Sequence, residues 1–96
     1  MKPKTPKQVS DPVQGKVLSC SVSGKYNEAT SAELLINFQA DGMPESETIR
    51  LGAGAAAQFF ISAAMIATSA RLNDTPVKIV ATSILGHTPE LKFIGI

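Results

Sequence analysis

Residues 51–70 read LGAGAAAQFFISAAMIATSA, a run with no charged side chain between Arg50 and Arg71. Alanine is the best helix former, and residues 55–72 hold neither Pro nor Gly. The stretch therefore predicts a helix that starts at 53 or 55 and ends at 72. Arg71 suits the negative end of the helix dipole, and Asn73-Asp74-Thr75-Pro76 stops the helix. The run is long enough to raise a membrane span. Gly52, Gly54, Gln58 and several Ser and Thr dilute it, and alanine is nearly neutral for insertion, so no membrane contact is expected. Phe59, Phe60, Ile61, Met65, Ile66 and Leu72 give the helix bulk around most of its circumference. Its polar stripe is narrow: Gln58, Ser62, Met65 and Ser69. A surface helix normally carries a wide charged face. Here the second face asks for a cover, and in so short a chain the expected cover is another copy. Ala63 and Ala64 would let two such helices approach closely. The sequence thus predicts a homo-oligomer with these alanines in the contact.

Upstream, the pattern changes to period two. Leu18, Cys20, Val22 and Tyr26 fall on one face, with Ser19, Ser21, Ser23 and Lys25 on the other, which predicts a half-buried strand. A polar stretch, 27–31, reads as a turn. Ala32, Leu34, Ile36, Phe38 and Ala40 then share a face opposite Glu33, Asn37 and Gln39, with Leu35 as the exception. Asp41-Gly42-Met43-Pro44 breaks the chain. A short third strand, 47–51, points Ile49 and Leu51 inward.

Downstream, residues 77–85 read VKIVATSIL, rich in β-branched side chains. Val77, Ile79, Ala81 and Leu85 form one face. Gly86-His87-Thr88-Pro89 is a turn, and 91–96 is the last strand. Strict alternation puts Val80, Ile84, Ile94 and Ile96 on the outer face, a second apolar surface expected to meet a protein partner. The order is β-β-β-α-β-β: an α+β domain over 15–96, either an open antiparallel sheet or a partly open barrel. In outline it resembles the OB-fold, a five-stranded Greek-key barrel.

Residues 1–14, MKPKTPKQVSDPVQ, carry three prolines and no alternation, and read as a flexible basic arm. No apolar run follows its lysines, so it is not a signal peptide, and a cytoplasmic location is expected.

Composition excludes several classes. The 96 residues carry 9 Lys+Arg against 8 Asp+Glu, one His, one Cys and no Trp. Near-neutral charge argues against purely electrostatic nucleic-acid or membrane attachment. One Cys and one His leave no zinc set and no disulfide within the chain. Cys20 reads as a small buried hydrophobe and His87 as a turn residue. No nucleophile–base–acid set can be assembled, so no catalytic residue, no metal and no cofactor is expected.

Two binding chemistries remain in view. Gly52-Ala53-Gly54 at a strand-to-helix junction has the outline of a phosphate-binding turn. Gly52, Gly54 and Arg50 could there hold an anion or a nucleotide. The acidic residue that should end the following strand is missing. Single-stranded nucleic acid needs exposed aromatics and a basic groove. The candidates are Lys25 and Tyr26, with Lys2, Lys4 and Lys7 of the arm. The leading expectation is a non-enzymatic oligomeric module acting through protein contacts as an inhibitor, adaptor or assembly subunit.

Overall fold

The computed structural model describes residues 12–52, 54, 56–82 and 88–96, apart from the side chains of residues 29 and 30. Its elements are β1 (Val13–Lys25), β2 (Glu28–Ala40), β3 (Glu47–Gly52), α1 (Ala57–Asn73), β4 (Val77–Thr82) and β5 (Glu90–Gly95). The strands close into a barrel in the order β1-β2-β3-β5-β4. All neighbours are antiparallel except β3 and β5, which meet in parallel at Arg50 and Glu90. This is the expected α+β fold, closed and OB-like in outline.

Alternation in β2 and β3 works as the sequence suggests. Leu34, Ile36 and Phe38, with Ile49 and Leu51, point into the barrel and are buried, and Leu35 faces outward. Val17, Val77, Ile79, Leu91 and Ile94 complete the strand side of the core. The helix closes one end of the barrel with its smallest residues: Ala63, Ala67 and Ala70 are buried at spacings of four and three, so the helix axis lies close to the sheet.

Four expectations need correction. First, β1 begins at Val13, inside the segment expected as an arm, and it is bulged. Val17 pairs with Phe38 and Ser19 with Asn37, so Leu18 is the extra residue. A bulge resets which residues point inward. Val17 is therefore buried, whereas Leu18 is exposed. Second, the turn is only Tyr26-Asn27, and β1 and β2 run on as a two-stranded ribbon. β2 pairs with β3 only from Glu33 to Phe38, so the ribbon extends past the barrel. Val22 and Tyr26 are exposed there, not in the core. Third, α1 starts at Ala57, because Ala56 has ψ 136, outside the helical range. Fourth, Ile94 is in the core. Val80 pairs with Phe93 but Ala81 pairs with Leu91, which leaves Lys92 as an extra residue. That bulge brings both Leu91 and Ile94 inward and turns Phe93 out. Ile84, Leu85, His87 and the lysines at 2, 4 and 7 lie outside the described residues.

Gly15 fits where β1 crosses from β2 to β4. A side chain there would run into the Gln39 carbonyl, Ala40 Cα and the Phe38 ring. No side chain can replace that hydrogen without moving backbone.

Candidate functional site

Helix α1 and strand β1 run side by side below the barrel. Arg71 Nε donates to the Leu18 carbonyl at 3.2 Å. Cys20 Sγ lies 3.6 Å from Thr68 Oγ1. Lys16 Nζ and Asp74 Oδ1, 3.7 Å apart, mark the end of the contact. Each step of about one helical turn along α1 matches two residues of β1.

This face is apolar and uncharged. Ile61, Met65 and Leu72 are 51%, 66% and 72% exposed. They lie at i, i+4 and i+11, so they form one stripe on the side of α1 away from Ala63 and Ala67. Ala64, Met65, Thr68, Ser69, Leu72 and Asn73 line a shallow depression along it. Val22 is exposed on the neighbouring strand. No charged residue occurs from Val17 to Gly24 or from Leu51 to Ala70. Charges stand only at the borders: Lys16, Arg71 and Asp74 at one end, Lys25 and Glu28 at the other.

The expected contact residues divide. Ala63 is fully buried against the barrel and is not available to a partner, while Ala64 is half-buried at the edge of the depression. The expected β4–β5 patch loses Ile94 to the core. Val80 is half-buried opposite exposed Phe93, and Ile96 is exposed. Ile61, Leu72 and Phe93 were missed as surface residues. The signal for the first two was present: small residues at 63, 67 and 70 mark the side that approaches the sheet, which leaves 61, 65 and 72 outside.

The anion candidates come together, but their charge is committed. Arg50 Nε binds Glu33 Oε2 at 2.8 Å, and its guanidinium folds over Gly52. Gly54, Ala56 and Phe59 line a depression at the helix start with Glu90 and Lys92. The lysine there is paired to the glutamate at 3.4 Å. Lys25 and the fully exposed Tyr26 sit together at the ribbon tip. Ser19, Cys20, Ser21, Leu35, Asn37 and Thr48 line a shallow depression of mixed polarity with neither an aromatic nor a basic side chain.

Among the described residues, no three His, Cys, Asp or Glu side chains cluster as a metal site, and no helix is long and apolar enough to cross a membrane. Comparison with known proteins returns no matching family model, no matching curated protein and no matching solved structure.

Proposed function

We propose that the chain is a non-enzymatic oligomeric binding module that acts through protein–protein contacts. The contact face is the outer side of α1 with the adjoining part of β1. One observation carries this reading: Ile61, Met65 and Leu72 stand exposed in one stripe on a helix with no charge before Arg71. Exposed apolar groups that adjoin one another mark interaction sites, and the centre of a protein interface is depleted in charge. The reading takes the chain to be cytoplasmic, where a lone thiol such as Cys20 stays reduced.

A second reading has one observation in its favour. The OB-like barrel is an architecture that binds single strands, and Tyr26 and Lys25 project from its β1–β2 ribbon.

Light scattering on the full chain, with and without single-stranded oligonucleotide at low salt, separates the two. The first reading expects a discrete assembly that ignores the oligonucleotide and dissociates when Met65 is changed to Glu. A monomer whose mass rises with the oligonucleotide overturns it in favour of the second.

A further inference from the structure

The ribbon has a free edge, and its chemistry selects an occupant. β1 pairs with β4 only over Val13 to Gly15. Beyond that, among the described residues, the hydrogen bond given to its edge away from β2 comes from the C-terminal part of α1, where Arg71 donates to the Leu18 carbonyl. The N–H of Lys25 points toward β2, where Ser31 Oγ accepts it at 2.6 Å. Between Ser23 and Lys25 the extra residues lie on β2, with Gly24 alone facing residues 29–32, so backbone groups alternate along β1 and those of Cys20, Val22 and Gly24 point the other way, out of the sheet. Among the described residues they have no backbone partner on that side.

Natural edge strands are normally guarded by charge, proline or a bulge. Here Cys20, Ser21, Val22 and Ser23 carry none of these, and the irregularity at Gly24 places its extra residues on β2. The opposite edge of the ribbon is guarded. Glu28 stands at its start, and the pairing is irregular where Ser31 Oγ bonds both the Lys25 amide and the Glu28 carbonyl.

We infer that a second copy of this chain adds to the sheet here, β1 against β1, antiparallel about a two-fold axis at Val22. The inference rests on the protein-contact reading and names the partner of that face. Three observations select this arrangement. A two-fold axis at Val22 pairs all three outward-pointing residues: Val22 meets the partner's Val22, and Cys20 meets the partner's Gly24. A shift toward Leu18 is blocked by Arg71, and a shift toward Tyr26 runs off the ribbon. Second, no like charges face each other in this register, since Lys25 falls opposite the partner's Ser19. A strongly charged foreign strand would find no counter-charge. Third, an axis through a paired residue leaves the side chains of both copies on the same faces of the joined sheet. The two α1 helices then lie on one side of it, antiparallel, each held to its own β1 through Thr68 at Cys20 and Arg71 at Leu18. The contact thus pairs the free edge and brings the uncharged α1 helices of the two copies to the same side of the joined sheet.

The register makes a sharp prediction at the exposed face of the ribbon. Ser21 stands opposite the partner's Ser23, twice across the axis. The variant S21K/S23K sets lysines against lysines; S21E/S23K differs from it only in the sign at position 21 and sets opposite charges together. Sedimentation equilibrium across a concentration series expects S21K/S23K to weaken self-association by about tenfold or more, and S21E/S23K to restore it. Circular dichroism on both checks that these exposed positions leave the barrel folded. A wild-type dimer that ignores both variants and dissociates on Met65→Glu overturns the β1 pairing while the contact face on α1 stands. A wild-type chain that stays monomeric throughout overturns the second copy as occupant; if Met65→Glu is silent in every binding assay as well, the protein-contact reading falls with it.

Discussion

Gly15 and Asp74 are the two positions where a single atom group decides local stability. At Gly15, an added methyl group would sit 2.7 Å from both Ala40 Cα and the Phe38 ring. Backbone lies on one side, so relaxation is limited. Gly15→Ala is expected to cost about 1–3 kcal/mol, as overpacking generally does. Urea denaturation measures this, and a midpoint equal to wild type would refute the close approach. Asp74 is the one non-glycine residue with positive φ among the described residues, at 53. It ends α1 in the left-handed conformation, while the Thr75 amide reaches back to the Ala70 carbonyl at 2.9 Å. Glycine is the usual residue in this motif. The Asp74 carboxylate also faces the negative end of the helix dipole, and its pairing with Lys16 is between two largely exposed groups, so little is lost with it. Asp74→Gly is expected to raise the melting temperature by roughly 4 °C, read by differential scanning calorimetry. A fall would mean that Lys16 contributes more than exposure allows.

At the level of elements, legibility depended on regularity. From Ala32 onward β2 alternates without interruption, as β3 does, and their inward residues could be read directly; the start of β2 at Glu28, in the irregular polar stretch, could not. β1 and β5 each contain one extra residue, Leu18 and Lys92, and a period-two reading carries no signal of such an insertion. A strict period-two reading therefore places Leu18 inside and Ile94 outside. The helix was legible as an element, but its orientation was not. The sequence spreads large apolar residues around most of the circumference and assigns Ala63 to a contact with a second copy, whereas the closest approach to the chain's own sheet selects Ala63, Ala67 and Ala70. The β5 bulge makes a direct comparison possible. Ile94→Ala should cost about 2–5 kcal/mol, as a buried large-to-small change does. Ile96→Ala, at an exposed position, should stay within about 0.5 kcal/mol. Chemical denaturation of the two variants checks this, and equal losses would restore strict alternation.

At the scale of the whole molecule, the barrel is closed unevenly. β1 and β2 are paired along nearly their whole length, and β2 and β3 over six residue pairs. Between β3 and β5 the described ladder is one pair, Arg50 with Glu90, supported by the Arg50 amide on the Pro89 carbonyl at 3.0 Å. Opening this seam breaks few bonds and leaves the β1–β2–β3 sheet intact. Local opening should therefore occur there well below the free energy of global unfolding. Native-state hydrogen exchange tests it. The Arg50 amide should show a protection factor more than about tenfold below that of Ile36, which lies in the central strand with β1 and β3 on either side. Equal protection would mean that the barrel opens only as a unit. The same measurement bears on assembly, because β1 carries its free edge away from the seam. If two copies join through β1, raising protein concentration should protect the Val22 and Gly24 amides while leaving Arg50 unchanged. Protection that instead grew at Arg50 alone would place the contact on the β3–β5 side and count against the joined sheet.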